Sequence, residues 1–248
     1  MNTKTITQTI FSVLTALTVG SLSAATGVQK PENINPANVE FAWDLHHVVV
    51  KRDDAAMFFK SMPSWGKMLK IKLSKKKKYR IVRKKLKVLK DTAATGQAYM
   101  ELFQKHGFNK LADTFRDLAS LQKPTKGIKK LIQELHAMGY IQRPCSNIGS
   151  LFFKDLAAKL HDFFCYFAPG TTATYVPDRK SIIKPNPEFY EMHNKKFNPN
   201  GTKTFIFVDD KLENVKAARD SGWIGIQFKN VKQLRANLIE LGINVNKK

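Results

Sequence analysis

The chain has 248 residues, 43% of them hydrophobic and 10% aromatic, which suits one α/β core with a small accessory unit and excludes wholesale disorder. Its 42 Lys and Arg against 20 Asp and Glu leave a formal charge of +22, which points to anionic partners: phosphorylated small molecules, nucleic acid, an anionic membrane or an acidic protein. Cys145 and Cys165 form no C-x-x-C pair and have no H-x-x-x-H beside them, which argues against a zinc site and leaves two thiols, or one disulfide in an exported protein.

In chain order, residues 1–25 resemble a secretory signal. Lys4 is the only charge in the first 29 residues, Ile10 to Leu22 is mainly apolar, and Ser23-Ala24-Ala25 has the small-residue spacing that a signal peptidase reads. The run is too short and too rich in Ser, Thr and Gly for a membrane span. The expectation is a periplasmic or secreted protein; the alternative is a cytoplasmic one that begins with an ordinary helix or tail. Residues 26–38, polar with two prolines, read as a linker. Val39 to Val50 (VEFAWDLHHVVV) reads as a buried parallel strand ending in a functional loop. Residues 51–122 carry few glycines and one proline, and their apolar spacing is helical.

From residue 126 the pattern alternates. Helices are predicted over 126–138, 150–160, 187–194, 212–220 and 231–241, and strands over 140–145, 163–167, 204–208 and 223–227. A βαβ series of this kind predicts a parallel sheet with helices on both faces. Such sheets bind ligands at the carboxyl ends of their strands.

Four strand ends carry chemistry: Asp44-Leu45-His46-His47-Val48, then Ser146-Asn147, then Lys184-Pro185-Asn186-Pro187, then Asp209-Asp210. Singly, each has a plain structural reading. Asp209-Asp210 and Ser146-Asn147 could cap helices, and Lys184 could be a solvated loop residue. Together they offer three carboxylates, a hydroxyl and an ammonium at one sheet edge.

This ordered set resembles the haloacid dehalogenase superfamily of aspartate-nucleophile hydrolases, over about residues 39–245. DLHHV, SNIG, KPNP and DDKLEN stand where that family places its four motifs. The resemblance implies an α/β fold, a Rossmann-like parallel sheet with helices on both faces, formed by residues 39–50 and 123–248. It also implies an inserted helical cap over residues 51–122. By the same resemblance, Asp44 is the nucleophile. Asp44, Asp209, Asp210 and the backbone carbonyl of His46 would hold Mg2+, a cation that wants oxygen ligands. Lys184 would neutralise the transferring phosphoryl group, and Ser146 with the backbone N–H of Asn147 would hold phosphate oxygens.

One position departs from the family pattern. The second acidic residue of the first motif, which protonates the leaving oxygen in family phosphatases, is His46 here. Such acid–base help contributes roughly 10²–10⁴-fold. Either His46 does this work, or only substrates with good leaving groups react, or phosphate binds without turnover. Halide-displacing relatives also lack that acid and need no magnesium; the Asp209-Asp210 pair argues against their chemistry. The expectation is a magnesium-dependent phosphomonoesterase for a small phosphorylated or other anionic substrate. The alternative is a weak or inactive anion-binding protein, exported, that works through its basic cap.

That cap is dense in charge: residues 51–90 hold 16 Lys and Arg against Asp53 and Asp54, most of them between Lys72 and Lys90. Ile81, Val82, Leu86, Val88 and Leu89 among them read as one apolar face. A charge run is usually a solvated face. The alternatives are selection of a polyanionic substrate, or non-specific contact of residues 70–90 with nucleic acid or an anionic membrane.

Overall fold

The structure is a computed structural model, and it describes residues 34–53, 60–91, 96–173 and 182–246. The signal-like segment and most of the linker lie outside the described residues. No helix among the described residues is long and apolar enough to cross a membrane.

Five strands form one parallel sheet. They are β1 (Val39–Trp43), β4 (Ile141–Gly149), β5 (Thr171–Ala173), β6 (Thr204–Asp209) and β7 (Ile224–Gln227), in the order β5-β4-β1-β6-β7. β1 is central, and every one of its residues is buried. A strand enclosed on both faces by a parallel sheet's crossovers reads as a continuous apolar run rather than an alternation. Its single charge, Glu40, is buried and is met by Arg143 at 2.5 Å and by Lys203.

Register carries the site. Trp43 pairs with Pro144 of β4 and with Val208 of β6. One step further along, Asp44, Cys145 and Asp209 therefore lie level on adjacent strands. The Asp44 N–H donates to the Val208 carbonyl at 2.9 Å, which extends the ladder to the nucleophile candidate.

After Asp44 the chain reverses sharply. His47 adopts a left-handed backbone (φ 65°), uncommon outside glycine, and its N–H donates to the Val50 carbonyl at 2.8 Å. β2 (Val50–Arg52) then pairs antiparallel with β3 (Gln122–Pro124). This two-stranded ribbon brings both ends of the inserted segment together. Between them lie α1 (Trp65–Leu73), α2 (Lys77–Asp91), α3 (Gly96–Lys105) and α4 (Asn109–Ser120). The uniformly helical expectation for residues 51–122 thus gives way at both ends to strands. These strands are three residues long, too short for periodicity to register.

The remaining helices are α5 (Ile128–Ala137), α6 (Ser150–Lys159), α7 (His161–Phe164), α8 (Pro187–Phe197), α9 (Leu212–Asp220) and α10 (Val231–Glu240). α4 packs on α6, and Arg116 grips Asp155 through two hydrogen bonds of 2.7 and 3.0 Å. The strand expected at 163–167 is not one. Residues His161–Phe164 form a helical turn, and Phe163, Phe164 and Phe167 close on one another with centroids 5.1–5.7 Å apart. The true strand follows at β5. A short aromatic run satisfies either geometry, and here clustering of the rings decided. β5 lies close against β4: a Cβ on Gly170 would stand 2.0 Å from the Pro144 carbonyl. Both cysteines are free thiols, Cys145 buried and Cys165 exposed.

Candidate active site

Each strand end delivers its side chain to one place. Asp44 follows β1 and is 7% exposed; Asp209 ends β6 and is fully buried; Asp210 is half-buried. One carboxylate oxygen from each of the three lies within 4.8 Å of the others. Lys184 enters from the turn before α8, with 3% exposure. Its ammonium donates to Asp44 Oδ1 at 2.9 Å and to Asp209 Oδ2 at 2.6 Å. The nucleophile candidate and the later acidic pair are thus joined through one buried cation.

Electrostatics follow from that enclosure. Burial alone would lower the Lys184 ammonium, but Asp44 and Asp209 together outweigh it and hold it well above its ordinary range. Burial pushes the Asp209 carboxyl up, against the pull of Lys184. Cys145, level with Asp44, is pushed up to about 12 by burial and stays a neutral thiol among these charges.

Several groups hold the charged residues in place. Asn214, in the first turn of α9, donates to both oxygens of Asp209 at 3.1 and 2.9 Å, and the Lys211 N–H donates to Oδ1 at 2.8 Å. Asn147 uses its side chain on the backbone of Lys184: it accepts from the N–H at 2.8 Å and donates to the carbonyl at 3.0 Å. The Lys184-Pro185 bond is cis. Asn186 Oδ1 accepts from the Glu188 N–H at 3.1 Å and caps α8, with Pro187 in its first turn. The Tyr190 hydroxyl donates to the Asn214 carbonyl at 2.8 Å, which ties the helix behind Lys184 to the helix behind Asp209.

Ser146 is buried, and its Oγ has no hydrogen-bond partner among the described residues. A buried hydroxyl without a partner costs free energy, so a ligand oxygen there would satisfy it. His46 is half-buried, and its Nε2 lies 3.2 Å from the side-chain amide of Gln122 on β3. The loop after the nucleophile is thereby linked to the ribbon that carries the insert.

All seven side chains singled out from the sequence lie at one edge of the sheet. Asp44 and His46 follow β1, Asp209 ends β6 with Asp210 after it, and Lys184 sits in the turn before α8. Ser146 and Asn147, expected just past a strand ending at Cys145, lie within β4, which runs on to Gly149. The sequence reading did not anticipate the clamp by Asn147, the double hold of Asn214 on Asp209, or the contact of Gln122 with His46. For Asn214 a signal existed, since it sits five residues after Asp209, in the first turn of α9. For Gln122 there was none, because 76 residues separate it from His46.

Comparison with known proteins bears on the fold and the family. Over 120 residues, 48% of the chain, it is 31% identical to a sesquiterpene phosphatase of Aspergillus oryzae; the match spans 58% of that relative's length. Among solved structures, a predicted HAD-like family hydrolase of Porphyromonas gingivalis superposes with a TM-score of 0.54 at 15% identity, covering 84% of this chain and 99% of the other. A HAD family enzyme of Bacteroides thetaiotaomicron gives 0.52 at 15% identity, covering 82% of this chain and 99% of the other. The L-2-haloacid dehalogenase of Xanthobacter autotrophicus gives 0.50 at 15% identity, covering 84% of each. At such identities it is the fold that is shared. The model of the haloacid dehalogenase-like hydrolases matches residues 26–222, and the chain belongs to that family of hydrolases.

Proposed function

We propose that this hydrolase is a magnesium-dependent phosphomonoesterase with Asp44 as its nucleophile. The observation that carries the reading is the buried ammonium of Lys184 held between Asp44 and Asp209. An attacking carboxylate and a phosphate ester repel each other, and a fixed cation beside the attacking oxygen offsets that repulsion. The likeness to a phosphatase over about half the chain supports the same class. It makes phosphate monoesters of apolar alcohols the first substrates to try.

The donor set fits magnesium. Asp44, Asp209 and Asp210 are hard oxygen ligands converging within 4.8 Å, and Asp210 is only half-buried. These three, with the carbonyl of His46, would hold the ion, and bound there it would neutralise charge on the phosphoryl oxygens. Asp44 attacks phosphorus; the bond to the leaving oxygen breaks as that oxygen takes a proton from the His46 imidazolium. Water then attacks the acyl-phosphate phosphorus, neutral His46 takes its proton, and the bond to Asp44 breaks, which restores the carboxylate. Ser146 Oγ donates to a phosphate oxygen. Lys184 orients Asp44 throughout.

The test is release of inorganic phosphate from an aryl phosphate and from a terpenyl phosphate, with magnesium and with chelator. Activity that requires magnesium and vanishes in Asp44→Asn is expected. Turnover by Asp44→Asn at the native rate would remove Asp44 from the chemistry. Phosphate binding without turnover in the native protein would favour the anion-binding reading, which draws on the absence of the usual second acid at His46.

A further inference from the structure

The insert is built inside out on one side. α1 presents Trp65, Met68, Leu69 and Leu73 to solvent, at 47, 47, 56 and 67% exposure. Their spacing of three and four places them on one helical face. The opposite face of α1 carries the buried Ile71. Seven of the nine exposed large hydrophobics among the described residues fall between Met62 and Val88. The arrangement is held in place: Arg83 of α2 donates to the Ile71 and Ser74 carbonyls at 2.7 and 2.8 Å, which fixes the end of α1 against α2.

The segment that carries this face is charged almost entirely with one sign, although Lys60 pairs with Asp117 of α4. Residues 60–91 hold 14 Lys and Arg against Asp91 alone. His106 beside them is held below its ordinary range, first by desolvation and then by Lys85, Lys105 and Lys78.

We propose that α1 and α2 dock this chain on an anionic lipid bilayer, with the apolar face of α1 entering the headgroup–acyl boundary and the lysines on lipid phosphates. A continuous anionic surface over an apolar layer complements both properties at once. Lysine stems lie along apolar surface while their ammonium groups reach the headgroups. A second copy of the chain fits poorly, because two such surfaces repel. Nucleic acid would satisfy the charge but leaves the apolar side chains without a role. The docking is interfacial: α1 has 9 residues, too few to cross a bilayer. The inference does not depend on the phosphatase reading.

The test uses the full chain with phosphatidylcholine vesicles, with vesicles in which about one-third of the lipid is phosphatidylglycerol, and with duplex DNA. Trp43 and Trp223 are buried, at 0 and 2% exposure, so a shift in tryptophan emission on binding reports Trp65. The apolar run 10–22 contains no Trp and does not contribute to that signal. Expected are binding about tenfold or more tighter to the anionic vesicles, weakened by salt, and a blue shift on vesicles but not on DNA. The double variant Leu69→Ser/Leu73→Ser should lose about tenfold in vesicle binding, keep its DNA binding, and keep its thermal unfolding temperature because both positions are exposed. An unmoved emission on anionic vesicles, or unchanged vesicle binding by the double variant, would overturn the proposal in favour of adsorption by charge alone. So would binding to DNA with none to vesicles.

Discussion

Replacing Lys184 by Met tests the site without assuming any reaction. The ammonium is almost fully enclosed and lies 2.9 Å from Asp44 and 2.6 Å from Asp209. Methionine keeps the length and apolar stem of the side chain, so packing changes little. What changes is charge: two buried carboxylates lose their shared partner. Removing one member of a buried ion pair typically costs ~3–5 kcal/mol, because the remaining charge is left without compensation. Asp209 is already pushed up by burial, so in the variant one carboxyl relieves the strain by taking a proton. Its folded pKa then lies above the unfolded value, and the penalty shrinks as pH falls through that folded pKa. For a chain of this size each kcal/mol shifts the midpoint by roughly 2–4 °C, so a drop of about 6–20 °C is expected near pH 7 in chelator. Added magnesium supplies the missing positive charge, so it should raise the melting temperature of the variant more than that of the native protein. Calorimetry or near-ultraviolet circular dichroism, with and without magnesium, reads all three effects. A midpoint within about 2 °C of native in chelator, unmoved between pH 7 and 5, would refute the electrostatic account of the site.

Two further outcomes follow from single histidines. If His46 moves the proton, His46→Ala should lower turnover on alkyl phosphates by about 10²-fold or more, with a smaller loss on aryl phosphates whose leaving oxygen needs no proton. A large gain in His46→Asp with little change in His46→Ala would instead mark a damaged hydrolase. His193 is buried among Phe197, Phe205 and Trp223, with Nδ1 2.9 Å from the Thr171 hydroxyl. Burial first, then the charges of Arg143 and Lys196, hold it down to about 3. A folded pKa below the unfolded ~6.5 gives stability that is whole above pH ~6.5 and is lost as pH falls toward 3. His193→Asn should flatten denaturant midpoints across that window, and an unchanged slope would count against a neutral buried imidazole.

Most helices and strands of the sheet domain, and the places of Asp44 and Asp209 at the ends of β1 and β6, were legible in the sequence, because both are local properties; the turn at His161–Phe164 and the run of β4 through Ser146 and Asn147 were not. An apolar run that ends in Asp44 or Asp209, followed by helical periodicity, reads the same wherever it packs. The tertiary structure alone decided that Lys184 serves both carboxylates, that Asn147 clamps its backbone, and that Gln122 reaches His46, since these contacts join residues 25 to 140 positions apart. It also decided which apolar side chains are inside. Ile81, Val82, Leu86, Val88 and Leu89 read as one face, yet Val82 and Leu89 are buried, Leu86 is half-buried, and Ile81 and Val88 are exposed. Periodicity assigns side chains to the faces of a helix; only the neighbour that arrives in three dimensions determines which face is the interior.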